Sequence, residues 1–434
     1  MKLWQKDSTA VSAQIEHFTV GRDREFDLLL APFDVQGSIA HVTMLGETGL
    51  MTSGESMRAV QALQEIATEI EAGTFELEEG VEDVHSQVEL LLTRRIGDIG
   101  KKIHSGRSRN DQVAVDIKLF LRAQILLLKE DVRALFQVLQ LQSERHKDVL
   151  LPGYTHLQLA MPSSFGLWLG AYAESLVDDL ALLAAAYELA NKNPLGSGAG
   201  YGSSLPLNRR RTTELLHFGD LHYNSVYAQM GRGKTERFTA IGMSTLAATV
   251  GRLAMDCCLY LNQNFDFISF PSELTTGSSI MPHKKNPDVF ELVRGKCNRL
   301  QSVPNELALL LGNLPSGYHR ELQLTKEILF PAINELRTCL QMTVLMLEQL
   351  QVRDGILLDE KYRYVFSVEA VNSLVNAGVP FREAYRRVGN DIEAGNFQYD
   401  ASQPLQHTHE GSIGNLCTAE IREAFEKVLA RYDS

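Results

Sequence analysis

The stretch RSRNDQVAVDIKLFLRAQILLLKEDVRALFQVLQLQSERHKDVLL, residues 107–151, runs for 45 residues without a glycine or a proline. Within it Val113, Ile117, Phe120, Leu121, Ile125, Leu128, Val132, Leu135 and Phe136 recur at the three- and four-residue spacing that gathers side chains on one face of an α-helix. At 1.5 Å per residue such a helix reaches roughly 60 Å. The usual globular helix has about 11–12 residues, so one this long needs partners of similar length, and a bundle is its natural home. The fold class that follows is all-α.

The flanking sequence supplies the partners. Residues 171–193 and 252–270 contain no helix breaker, and 332–353 carries Ile333, Leu336, Leu340, Val344 and Leu347 on one stripe. Strand-like alternation is rare. Between the helices lie short polar stretches: KIHSGRSRNDQ (102–112), LPGYTHLQLAMP (151–162), NPLGSGAGYGSS (193–204), TTGSSIMPHKKNPD (275–288) and LPSGYHRELQLTKE (314–327). Polar motifs at the ends of apolar helices suit chemistry hung from a rigid scaffold. After Gly355 the helical stretches shorten and turn signals fall at 378–380 and 411–414, which reads as a small appended helical domain. The division expected is an N-terminal helical domain (1–108), a central long-helix domain (109–355) and a C-terminal helical domain (356–434).

The chain has 434 residues, with 44% hydrophobic and 22% charged, ordinary proportions for a soluble globular protein. Its formal net charge of -12 argues against a broad nucleic-acid footprint and against attraction to anionic membranes. An anionic ligand must therefore be met by a local basic cluster. The opening MKLWQKDSTAVSAQIEHF lacks the apolar core of a secretory signal, and no window approaches 18 apolar residues, so a cytoplasmic protein is expected. Five cysteines without paired metal-site spacings read as free thiols.

The polar stretches carry the candidate chemistry. In 275–288, Ser278 becomes a base only where cations or N–H groups stabilise its alkoxide, and Lys284 or Lys285 could supply the charge. A solvated surface turn accounts for the same string, and composition does not decide between the two. In 104–112, Arg107 and Arg109 flank a serine and can grip carboxylates, while Ser108, Asn110 or Asp111 could equally cap the long helix. A cap does not explain why basic residues cluster there in an acidic protein. His156, beside Thr155, titrates near neutrality and suits proton transfer, although a lone histidine is more often structural.

GSSIMPHKKNP resembles the signature loop of the fumarase/aspartase superfamily, and HSGRSRNDQ, LPGYTHLQ and NPLGSGA, in that order along the chain, resemble the motifs of the argininosuccinate lyase/δ-crystallin family within it. The resemblance runs from about Trp4 to Lys326. It implies a fumarase/aspartase-like three-domain fold, a homotetramer whose central helices form one 20-helix core, and active sites drawn from three subunits. It implies β-elimination of argininosuccinate to arginine and fumarate through an aci-carboxylate dianion. By the same resemblance Ser278 is the expected base, Lys284 and Asn286 stabilise the dianion, and His156 protonates the guanidino leaving group or orients what does; which of Ser278 and His156 takes the proton stays open. The implied substrate contacts are Asp83, His85, Ser108, Arg109, Asn110, Thr155, Tyr318, Gln323 and Lys326. No metal or organic cofactor is implied, and no nucleic-acid or membrane partner. The chain departs from the family pattern at Asp23–Asp27, at Tyr227–Lys234, where only Arg232 matches, and at His283, where glutamine is common. Two alternatives accompany this reading: another succinyl-compound lyase of the superfamily, and a non-catalytic crystallin-like structural protein.

Overall fold

The computed structural model describes residues 13–401 and 403–433, so the resemblance that begins near Trp4 is followed from residue 13. Three helices form the N-terminal layer: α1 (Ala31–Glu47), α2 (Ser53–Glu71) and α3 (Val84–Ile96). Val42, Leu45, Leu63, Ile66, Val88 and Leu92 close a core of their own between them. Thr52 and Glu55 start α2 with a reciprocal capping box, each side chain accepting the other residue's backbone N–H.

The long helix is α4 (Arg109–Arg145), 37 residues and so about 55 Å in length. It packs against α5 (Phe165–Ala190) and α8 (Thr325–Glu348), and α6 (Lys234–Leu261) packs against α5, α8 and α7 (Asp288–Leu300). The shared core is built from Leu121, Leu128 and Leu135 of α4, Leu176 and Leu183 of α5, Val250 of α6, Phe290 of α7 and Leu336 of α8. The all-α class follows from this packing. Beyond it, α9 (Ser367–Asn376) and α10 (Phe381–Glu393) share a small cluster of Val371, Ala384 and Val388. The last helix, α11 (Thr418–Leu429), returns to the main core, where Phe425 stacks on Phe136 with ring centroids 3.8 Å apart.

Element boundaries differ from the sequence reading in a consistent way. The stretches read as helix to Leu151, Asn193, Phe270 and Arg353 stop at Arg145, Ala190, Leu261 and Glu348. The tails of α6 and α8 are drawn instead into an antiparallel pairing of Ile268 with Val352 and Ser269 with Gln351. Three helices also begin earlier than read, running through Gly166, Gly170, Gly242, Gly251 and Pro331. Packing explains two of these glycines. A Cβ at Gly166 would lie 2.6 Å from Cα of Lys147, and one at Gly242 would lie 3.0 Å from Leu183.

The clearest strands are β1 (Leu150–Thr155) and β2 (Gln158–Ser164), an antiparallel hairpin. Its two-residue turn is His156-Leu157, both in the left-handed region at φ 53° and 58°, the geometry that matches strand twist but that residues with a Cβ resist. Two helical spans, Asp23–Glu47 and Lys234–Leu261, pass a length-and-hydropathy test for bilayer crossing. They pass on mean hydropathy, with Asp34 in the first and Arg252 and Asp256 in the second, so neither is an unbroken run of 18 apolar residues. Both are largely buried against other helices of the fold, which accounts for their apolar composition.

Candidate active site

Where α3 and α4 begin, the chain encloses a cavity of about 270 Å³. Asp83 and His85 enter it from the start of α3, and Arg109 and Asn110 from the start of α4. Tyr318 and Gln323 close it from the segment leading into α8, and Lys326 from the first turn of α8 itself. Seven of the nine expected substrate contacts, spread over more than 240 positions of sequence, thus share one cavity.

Caps set the positions of these side chains. Asp83 is the N-cap of α3, its Oδ1 accepting from the backbone N–H of Ser86 at 2.7 Å. Ser108 is the N-cap of α4, its hydroxyl accepting from Asn110 N–H while Oδ1 of Asp111 accepts from Ser108 N–H at 2.8 Å. The other oxygen of Asp111 accepts from the backbone N–H groups of Gly196 and Gly198, both at 2.9 Å, which ties the glycine-rich 193–204 stretch to the same helix end. Arg109 donates to Ser86 Oγ at 3.1 Å, and its Nε lies 3.3 Å from Asp83. Burial opposes the charge on Asp83, but His85, Arg109 and hydrogen bonds from Ser86 outweigh it and hold the carboxyl below its ordinary range.

The end of the cavity nearest α8 is more committed than the sequence suggested. Lys326, expected to reach a substrate carboxylate, is 2.8 Å from Asp23 and 2.9 Å from Asp27. Burial works against its charge, yet the two carboxylates raise its pKa above the ordinary lysine value. Gln323 donates to the backbone oxygen of Thr19 at 3.0 Å, so it too has a protein partner. Asp23, Asp27 and Arg232 line the cavity and were not among the expected contacts. The legible signal was the four-residue spacing of Asp23 and Asp27, which sets both carboxylates on one helical face. Arg232 is buried, with Nε 3.2 Å from Glu236 and NH2 donating to Leu322 O.

The residues expected to do the chemistry lie elsewhere in this chain. Neither Ser278, His156, Lys284, Asn286 nor Thr155 borders the cavity, and Ser108 stands beside it as a cap. His156 and Thr155 occupy the exposed end of the β1–β2 hairpin. The 275–288 loop is pinched at its neck: Asn286 N–H donates to Thr276 O at 2.8 Å, and Nδ2 of Asn286 reaches Gly277 O at 3.4 Å. Ser278 Oγ accepts from the N–H groups of Ile280 and Met281, at 3.3 and 3.1 Å, which is the donor pattern an alkoxide needs. Lys284 and Asn286, with His283, border a second depression that Asn262 and Glu291 also line.

Asp34, His85 and Asp116 bring one donor atom each within 4.8 Å of one another, the kind of spacing a metal ion requires. The close contact in the group is His85 Nδ1 to Asp34 at 2.8 Å, a hydrogen bond, and both aspartates are fully buried.

A family model described as Lyase matches residues 9–302. The argininosuccinate lyase of Bacteroides fragilis is 60% identical over 432 residues, covering 100% of this chain and 96% of that protein. That of Bacteroides thetaiotaomicron is 60% identical over 428 residues, with 99% and 95% covered, and that of Stenotrophomonas maltophilia is 36% identical over 427 residues, with 98% of each covered. Among solved structures, EDDS lyase in complex with formate superposes with a TM-score of 0.75 at 23% identity, covering 98% of this chain and 91% of that one. The class II fumarase of Schistosoma mansoni gives a TM-score of 0.70 at 17% identity, with 91% and 93% covered. At such identities the structural matches speak for the fold.

Proposed function

The chain belongs to the argininosuccinate lyase family, carbon–nitrogen lyases acting in arginine biosynthesis, and from that premise we propose how its residues divide the work. The reaction is β-elimination. Ser278 removes the proton from the carbon next to a carboxylate and β to the departing nitrogen, and the negative charge passes into an aci-carboxylate. Lys284, together with Asn286 and the backbone donors of the 275–288 loop, stabilises that dianion, since only interactions that strengthen in the transition state accelerate the step. The carbon–nitrogen bond then breaks, fumarate forms, and His156 delivers a proton to the leaving guanidino nitrogen of arginine. Asp83, His85, Ser108, Arg109, Asn110, Thr155, Tyr318, Gln323 and Lys326 hold the substrate. Asp23 and Asp27 keep Lys326 charged and in place.

A single chain does not bring these two sets of residues to one cavity, and that separation is the observation that carries the assembly proposed here. We read the active unit as a cytoplasmic homotetramer in which each site takes its cavity from one subunit and the Ser278 loop and His156 hairpin from others. Three features support it. The hairpin tip and the loop expose Leu157 at 82% and Ile280 at 83%, a poor arrangement for a free surface. The long helices expose Leu127, Leu141, Leu182, Phe238, Met255 and Leu292, as a further helix–helix core would require. The tip also holds two non-glycine residues in left-handed conformation, a cost that functional sites retain. The three-part division at 108/109 and 355/356 remains part of the same reading.

The test is complementation. Ser278→Ala and Arg109→Ala are each assayed with argininosuccinate by the ultraviolet absorbance of fumarate, then mixed after reversible dissociation. Ser278→Ala lowers kcat by about 1000-fold or more with KM within a few fold, and Arg109→Ala chiefly raises KM. The mixture recovers activity several-fold above either parent. Hybrid tetramers with no recovered activity at any mixing ratio would exclude shared sites.

A further inference from the structure

On the protein side of His85, away from the cavity, lie side chains that the roles above leave unused. Nδ1 of His85 is 2.8 Å from Oδ1 of Asp34, on α1, and 3.5 Å from Oδ2 of Asp116, on α4. Gln112, one turn before Asp116, donates to the same Asp34 oxygen at 2.6 Å. Asp34 and Asp116 are both 0% exposed. Nε2 of His85 and both oxygens of Asp116 have no hydrogen-bond partner among the described residues, while His85 itself lines the cavity.

We propose that Asp34 and Asp116 are positioning residues: Asp34 holds His85 through Nδ1, Asp116 packs beside that contact, and together they leave Nε2 at the cavity wall as the free hydrogen-bond acceptor of the ring. This rests on the reading of His85 as a substrate contact.

Two buried carboxylates so close do not both ionise. Burial and then the charge of Asp34 push Asp116 well above the ordinary carboxylate range, so of the two carboxyls Asp116 holds a proton the more readily. Burial opposes the charge on Asp34 as well, but His85, Arg107 and Gln112 outweigh it and hold Asp34 below that range. Asp34 is thus the anion, and it accepts the Nδ1–H of the ring. That fixes the tautomer and leaves the lone pair on Nε2, where it can accept from an N–H of the guanidino or ammonium groups of the substrate. The other charged groups around this ring are Asp83 from the start of α3, Arg107 and Arg109 from the start of α4, and His104.

The experiment compares the assembled enzyme with Asp34→Asn, Asp116→Asn, Asp116→Ala and His85→Gln, each confirmed as folded by circular dichroism at the assay temperature. Asp34→Asn keeps the shape but presents an N–H where a carboxylate stood, which drives the ring proton to Nε2. The expected loss in kcat/KM is about 100-fold or more, by analogy with the loss that follows when an imidazole is held in its wrong tautomer. The ring proton also moves from Nδ1 to Nε2, read from the 15N shifts of the His85 imidazole; a purely structural role would leave the tautomer unchanged. Asp116→Asn, neutral and isosteric, keeps at least about tenfold more kcat/KM than Asp116→Ala. If Asp34→Asn stays within about threefold of the parent while His85→Gln is impaired, the positioning proposal fails and the substrate contact stands. If His85→Gln is itself unimpaired, the contact fails and the proposal falls with it. Equal loss in Asp116→Asn and Asp116→Ala would remove Asp116 from the arrangement.

Discussion

A lysine can be present in the expected place and still be spoken for. Lys326 is 3% exposed and shared between Asp23 and Asp27, whose second oxygen also accepts from Val84 N–H at 2.6 Å. Removing one partner of such a buried group strands the other charges, which typically costs about 3–5 kcal/mol. Lys326→Met therefore lowers the free energy of urea-induced unfolding at pH 7 by about 3 kcal/mol, and adding Asp27→Asn recovers part of the loss. An unchanged unfolding midpoint in the single variant would show that the ion pair contributes nothing to the fold. Ser108 teaches the related lesson that one residue holds two readings at once. It is the cap its sequence allowed, and it stands directly before two cavity-lining residues in succession, Arg109 and Asn110.

Among the elements, glycines separate into those that packing demands and those that it does not. Gly166, in the first turn of α5, approaches the backbone of Lys147 and Ser143 so closely that a methyl group has no room. Gly54, in the first turn of α2, has nothing within 4 Å of that position. Gly166→Ala is accordingly expected to destabilise by about 2 kcal/mol through overpacking, whereas Gly54→Ala is neutral or stabilising by up to about 1 kcal/mol. Thermal melts of the two variants check this, and equal shifts would contradict the close approach. The same contrast explains why helix starts were misread. A glycine in a sequence looks like a break, but a buried one marks where two helices touch.

Across the whole molecule, the pattern of buried bases ties stability to pH. Burial, reinforced by nearby Lys118, holds His222 down to about 3, against an ordinary histidine value near 6.5. Between those values the unfolded chain binds a proton that the folded chain refuses, so this group's contribution to stability rises with pH across the window and is lost as pH falls from about 6.5. His104, held down to about 4 mainly by burial, acts in the same direction. Asp116, raised by burial and by Asp34, acts in the opposite one. The informative quantity is therefore a difference: in His222→Gln the gap in unfolding free energy between pH 7 and pH 5 shrinks by about 2 kcal/mol relative to the parent. A gap of unchanged size would mean that His222 is charged in the folded protein.

How much was legible follows from what each signal measures. Periodicity reports burial on one face, so the long helices and the all-α class could be read from residues such as Leu121, Leu128 and Leu135 alone, and the four motifs pointed to the family because their residue types and order are specific. Helix ends were less legible, because Ile268 and Val352 leave their helices only when each finds the other to pair with. The cavity was legible as a set of residues but not as a place. Seven contacts meet because α3, α4 and the segment before α8 converge there, and Asp23 and Asp27 join them because Lys326 needs counter-charge when water is removed. The sequence by itself determined the scaffold and the chemistry available to it. Tertiary structure decided which of those groups are already paired, which stand free, and that Ser278 and His156 lie on exposed elements away from the cavity, since pairing and exposure depend on distances that no order of residues states.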